Sequence, residues 1–122
     1  MSDQIRQLEP SLPWSLFADL NAIPRASKKE QRIAQWVREF GHSRGLEVVT
    51  DDFGNIIIKK PASPGRENSP VTILQGHLDM VHSKNAGVEF DFDTQGIDMY
   101  VDGDWVRARG TTLGADNGLD RK

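Results

Sequence analysis

An apolar run ends in a His and an Asp two residues apart: Val71-Thr-Ile-Leu-Gln-Gly-His77-Leu-Asp79. A third candidate, Asp116, lies in a glycine-flanked stretch, Gly110-Thr-Thr-Leu-Gly-Ala-Asp116-Asn-Gly118. Imidazole and carboxylate are the donors left to a chain that has no Cys, so any metal here is held by His and Asp or Glu. In an extended segment, residues two apart point to the same face. His77 and Asp79 therefore project together from the end of a predicted strand, the place where open α/β sheets hold their ligands. A metal-bound imidazole commonly donates its second N–H to a carboxylate, which fixes its tautomer and raises its basicity. The alternative for this pair is a His satisfied by a local carboxylate. For Asp116, flanking glycines let the backbone approach closely, so its carboxylate can reach into a site and bridge two cations. The alternative there is an ordinary Asx turn.

The other titratable and aromatic residues read more simply. His82 follows the strand end and is expected on a surface loop. His42 lies at a helix end, where a cation suits the dipole. Trp14, Trp36 and Trp105 are expected to pack in or beside the core. Asp91, Asp93 and Asp98 do not have EF-hand spacing and read as a solvated acidic loop. Lys28, Lys29 and Arg32 read as a solvated helix face.

The elements that must position these residues follow from local pattern. Ser11 is placed to cap a helix starting near Leu12-Pro13, with Leu16, Phe17 and Leu20 on one face and Pro24 ending it. Ser27-Lys-Lys-Glu30 has the form of a capping box for a second helix, whose stripe is Ile33, Trp36, Val37 and Phe40. Gly41 or Gly45 can end that helix. Residues 46–50 and 56–59 read as strands around a turn at 51–55, a hairpin. Three prolines make 61–70 a loop. The run at 71–75 suits a buried strand. Residues 83–97 are polar and give no clear element. Met99 to Val101 and Trp105 to Ala108 flank Asp102-Gly103, a strong hairpin signal. Residues 111–118 read as a turn leading towards a helix.

The chain has 122 residues, 37% of them hydrophobic, and a net charge of −3. That length fits one domain with a usable core. No basic block points to nucleic acid. No apolar run approaches the ~20 residues that span a bilayer. The N-terminus, Met1-Ser-Asp-Gln, is unlike a secretory signal, so the expected location is cytoplasmic.

Four motifs in one order are more specific than any alone: Ile23-Pro-Arg-Ala-Ser27 with Glu30; Asp52-Phe-Gly-Asn55; Leu74-Gln-Gly-His-Leu-Asp-Met-Val81; and Trp105-Val-Arg-Ala-Arg-Gly-Thr-Thr-Leu-Gly-Ala-Asp-Asn-Gly118. From about Leu16 to Gly118 the chain resembles the N-terminal quarter of the cytosolic aminoacyl-histidine dipeptidases, within the co-catalytic dizinc peptidase family. The resemblance implies an α/β fold, the truncated N-terminal portion of a three-layer α/β/α catalytic domain, with the lid or dimerisation domain absent. It implies that His77 ligates one metal, that Asp79 is the catalytic-site carboxylate orienting it, and that Asp116 bridges two metals. The ions would be zinc, with manganese or cobalt as alternatives. It further implies a metallopeptidase that hydrolyses dipeptides, including those with a C-terminal His, with a homodimeric parent and no membrane or nucleic-acid partner.

The same resemblance marks what is missing. The family also needs a Glu-Glu pair supplying the general base and a ligand, then a further carboxylate and a distant His. None follows Asp116, and Leu119-Asp-Arg-Lys122 is charged where the family continues into a buried helix. The expectation is weak metal binding, no turnover by the chain alone, and exposed apolar surface along 71–75. A non-catalytic remnant or binding fragment remains an alternative, as does a related dizinc tripeptidase or aminopeptidase.

Overall fold

A computed structural model describes residues 3–119; the charged tail at 120–122 lies outside the described residues. The chain divides into two compact units. One comprises residues up to Ile33 together with those from His77 onward, and the other is Ala34–Gly76.

The first unit begins with a single turn, α1 (Asp3–Arg6), which buries Ile5 completely. Then α2 (Ser11–Ala22) carries Pro13 in its first turn, where the missing N–H costs nothing. Ser11 is not its cap. Pro10 holds the cap position without a side-chain bond, and the Ser11 N–H donates to Glu9 Oε2 at 3.2 Å. The helix ends at Ala22, two residues before Pro24, and Ile23 between them is extended, as the restricted backbone ahead of a proline requires. Phe17, Ala18 and Asn21 are its buried face. Phe17 and Ala18 join Ile5, Met80, Ile97 and Met99 in the core, with Trp14 edge-on to Phe17. Full burial of a side chain such as Phe17 contributes roughly 1.5–3 kcal/mol.

The expected capping box does not form. Ser27 Oγ donates instead to the Asp79 carboxylate, and Glu30 accepts the Lys28 N–H at 2.7 Å. A charged acceptor brought in by the fold outcompetes a neutral cap. The next helix, α3 (Gln31–Ser43), starts after this turn and passes into the second unit.

In that second unit Trp36 and Phe40 of α3 stack at 5.3 Å. Gly45, at φ +68, supplies the left-handed residue after the helix, with Leu46 N–H bonded to Gly41 O. A hairpin follows, β1 (Glu47–Thr50) antiparallel to β2 (Ile56–Lys59), in the register Val48 opposite Ile58. A Cβ on Gly41 would lie 2.6 Å from Val48 Cγ2, so only glycine lets the helix lie this close to the hairpin. Asp51 ties the connecting turn by accepting the Phe53 and Asn55 N–H groups.

Residues 71–75 do not form the expected buried strand. Val71, Ile73 and Leu74 are 91%, 84% and 89% exposed, and no ladder includes them. Their apolar character suits a strand covered on both faces, but among the described residues no neighbour covers or pairs with them.

Back in the first unit, a second hairpin joins β3 (Met99–Asp102) to β4 (Trp105–Ala108), with Gly103 at φ +60 in the turn. The exposed face of that hairpin carries Trp105, 68% exposed rather than packed as expected. One irregular turn, α4 (Ala115–Gly118), follows; Asp116 and Asn117 depart from helical φ/ψ within it. Among the described residues the sheets are these two antiparallel pairs. Among the described residues no helix is long and apolar enough to cross a membrane.

Candidate functional site

Three separate stretches of the first unit meet at His77. Met80 N–H donates to Arg25 O at 3.0 Å, and Ala26 forms a parallel bridge with Met80, so the 78–80 segment runs beside the end of α2. The Gly114–Asp116 turn comes in from the other side. Arg25 joins the two. It is 3% exposed, and its guanidinium donates to Gly114 O at 2.8 Å, Asn21 Oδ1 at 3.1 Å and Leu78 O at 3.3 Å. Asn21 adds a bond from Nδ2 to Leu113 O at 2.8 Å. Gly114, at φ +78, fits beneath this cluster because a Cβ there would lie 2.8 Å from Arg25 Nη2. Burial lowers the Arg25 pKa, partly offset by the nearby Asp79 carboxylate.

The predicted residues are brought together. His77 Nδ1 is 2.8 Å from Asp79 Oδ1, and His77 Nε2 is 3.2 Å from Asp116 Oδ1. Asp79 Oδ2 accepts the Ser27 hydroxyl. That hydroxyl, then the His77 ring, holds the Asp79 carboxyl below its ordinary 3.8. The Asp116 bond, then the Asp79 bond, raises His77 above its ordinary 6.5. The His77 side chain is 48% exposed and that of Asp116 is 87% exposed, so solvent reaches this pair.

With Nδ1–H donated to Asp79, neutral His77 aims the lone pair of Nε2 at a carboxylate oxygen. Two acceptors facing one another need a cation between them, either a proton on the ring or a metal. Two ligand atoms each about 2.0–2.1 Å from one zinc and subtending about 100° lie about 3.2 Å apart. The donor set thus fits two positions of one divalent ion. It does not supply a third: among the described residues no group of three His, Cys, Asp or Glu side chains could hold a metal. Asp79 faces the far side of the ring and orients it. The site is also open. A cleft of about 280 Å³ beside Pro24, Arg32 and Phe92 takes in none of the three residues.

Asn117 belongs to the site and was missed by sequence reasoning. With its amide oriented to satisfy both partners, Nδ2 donates to His77 O at 2.7 Å and Oδ1 accepts from His77 N–H at 2.8 Å. Its only local signal was membership of the Asp-Asn-Gly turn. Arg25 was missed as well; a single cation between Ile23-Pro24 and Ala26 was the one hint of a buried charge. The remaining candidates stay apart. His82 is exposed and edge-on to Phe92 at 5.4 Å. Asp91 accepts the Asp93 N–H and the Thr94 hydroxyl, while Asp93 pairs with Lys29. These are the bonds of a self-tied surface loop.

No family model matches the chain. It is 45% identical over 116 residues, 95% of its length, to the cytosol non-specific dipeptidase of Escherichia coli (strain K12), of which it covers 24%. The crystal structure of an aminoacylhistidine dipeptidase from Vibrio alginolyticus matches 97% of the chain at 45% identity and a TM-score of 0.90, with 25% of that protein's chain covered. The chain therefore spans about a quarter of the length of these relatives. Over that quarter it shares the fold of the Vibrio protein, and its mixed helices and strands are those of a truncated α/β domain.

Proposed function

We propose that this chain carries the first part of a two-metal dipeptidase centre, the incomplete N-terminal part of a peptidase catalytic domain. His77 and Asp116 are its metal ligands, and Asp79 is the carboxylate that orients His77. The observation that carries this reading is the pair of facing acceptors, His77 Nε2 and Asp116 Oδ1, 3.2 Å apart with the opposite ring nitrogen already engaged by Asp79. The preferred ion is zinc, with manganese or cobalt as alternatives. Two such ions, when bound, supply an activated water and polarise a peptide carbonyl. The chain's own contribution is narrower. Asp79 holds the imidazole in one tautomer and Ser27 holds Asp79. Asp116 presents an oxygen to the same point as His77.

The substrate class is the dipeptide, including those ending in His, and it rests on the names of the two similar proteins. A cytoplasmic location and a homodimeric parent belong to the same reading. Catalytic zinc normally has three protein ligands, and the described residues provide two in an open setting. The isolated chain therefore binds a divalent ion weakly and does not turn over substrate. The exposure of 71–75 favours a second reading, a non-catalytic fragment whose apolar surface awaits another polypeptide.

The test is hydrolysis of alanyl-histidine by the purified chain with added Zn²⁺ or Mn²⁺. No chelator-sensitive turnover in a folded sample is expected. Turnover would mean that other groups complete the ligand set and that the chain alone is a working dipeptidase.

A further inference from the structure

The His77 main chain carries one donor and one acceptor that must be satisfied somewhere. The segment before it, 71–76, joins no ladder. Among the described residues the Asn117 amide is the partner of both groups, at 2.7 and 2.8 Å, and no other backbone bond reaches them. A side-chain amide so engaged does for one residue what a neighbouring strand does for a row. Asn117 is also the residue next to Asp116. The turn that presents the Asp116 carboxylate therefore grips the backbone of the imidazole that this carboxylate faces.

The Asp116 side chain has little else to hold it. It is 87% exposed, and His77 Nε2 is its one side-chain partner among the described residues. Its position must come from its backbone, which is anchored at both ends. On one side Arg25 Nη2 binds Gly114 O at 2.8 Å, and Gly118 N–H bonds to the same oxygen at 3.3 Å. On the other side stands the Asn117 amide. Arg25 also holds Leu78 O, so it secures both loops from below, whereas Asn117 links the His77 main chain to the turn.

We infer that Asn117 is a positioning residue, whose paired hydrogen bonds to the His77 main chain set the separation of His77 Nε2 from Asp116. The step from positioning to metal affinity rests on the ligand roles proposed above; the positioning itself does not. Removing the amide frees His77 to move relative to the turn without altering either proposed ligand or the Ser27–Asp79 contact. An Asp at 117 would add a carboxylate beside Asp116 and confuse the reading, so Asn117→Ala and Asn117→Leu are the informative variants. The Leu variant keeps the side chain's bulk.

The experiment has two readouts on the 122-residue chain. The first is metal-free NMR: exchange protection of the His77 amide, and the nuclear Overhauser contact between the His77 ring and Asp116 Hβ. The second is Co²⁺ titration followed by visible absorption. In both variants the His77 amide is expected to lose about tenfold or more in protection, the scale of one or two ordinary hydrogen bonds. The ring contact weakens, the Co²⁺ dissociation constant rises by about tenfold with a changed spectrum, and the Met80 and Ile97 amides stay protected. Unchanged His77 protection and ring contact in folded variants would overturn the inference. So would unchanged Co²⁺ affinity and spectrum in variants of a chain that binds Co²⁺ through His77. If the wild-type chain binds no Co²⁺ while the variants still lose protection and the ring contact, Asn117 positions His77 as inferred and the metal reading fails instead. Should the Ala variant unfold, the Leu variant decides by the same measurements. Should both unfold, an unprotected His77 amide in the wild-type chain overturns the inference and a protected one upholds it.

Discussion

Replacing Arg25 with Met should destabilise the first unit by about 3–5 kcal/mol, the range for removing one partner from a buried charged network. The guanidinium is 3% exposed and donates to Gly114 O, Asn21 Oδ1 and Leu78 O at 2.8, 3.1 and 3.3 Å. Hydrogen bonds from a charged donor contribute roughly 1.5–3 kcal/mol each. Three would exceed the stated loss, but two effects offset them. The buried cation carries a desolvation penalty, which lowers its pKa, and its Nε has no partner among the described residues. Met also fills much of the same volume with apolar atoms. The acceptors left behind dominate the balance, because neither carbonyl gains a new donor. Urea unfolding read by tryptophan fluorescence would show a midpoint lowered by roughly 2 M, taking a slope of about 2 kcal/mol per molar. Amide exchange would show loss first at residues 78–80 and 113–115, the two loops Arg25 joins. A variant within about 1 kcal/mol of the wild-type chain, with those amides still protected, would refute the idea that this guanidinium holds the loops together.

Further outcomes follow from the same geometry. Gly114→Ala should cost about 2 kcal/mol or more in a urea titration, since φ +78 is unfavourable for Ala and the new Cβ would lie 2.8 Å from Arg25 Nη2. In the metal-free chain, the stabilising effect of His77, whose folded pKa is raised by Asp116 and then Asp79, is full below its ordinary 6.5 and is lost as pH rises through the higher folded value. Asp79, lowered chiefly by Ser27, contributes above its ordinary 3.8 and loses that contribution as pH falls through the lower folded value. Unfolding midpoints from about pH 5 to pH 9 should therefore fall towards the alkaline end, and His77→Gln should flatten that fall. Ile73→Lys, at a side chain on a residue 84% exposed, should leave the unfolding midpoint within about 0.5 kcal/mol and reduce light scattering at high concentration.

Sequence pattern revealed the parts of the fold whose causes are local. The end of α2 at Pro24, the turn held by Asp51 and the hairpin around Gly103 each depend on residues within a few positions, and each is present. The convergence of His77, Asp79 and Asp116 followed from motif order and family resemblance. Failures arise where a distant group decides. Ser27 reads as a helix cap until the fold brings Asp79, 52 positions away in sequence, to its hydroxyl. Residues 71–75 have the composition of a covered strand, yet composition cannot say whether a neighbour is there to cover it. Arg25 and Asn117 act through backbone carbonyls and amides of remote loops, and backbone groups leave no mark in a sequence.

The most direct test of the account is a Mn²⁺ titration of the isotopically labelled chain, with NMR line broadening mapped residue by residue. The account predicts weak binding, with broadening centred on His77, Asp116 and Asn117 and abolished by His77→Ala or Asp116→Ala. Broadening centred on the loop of Asp91 and Asp93, unaffected by those substitutions, would contradict it.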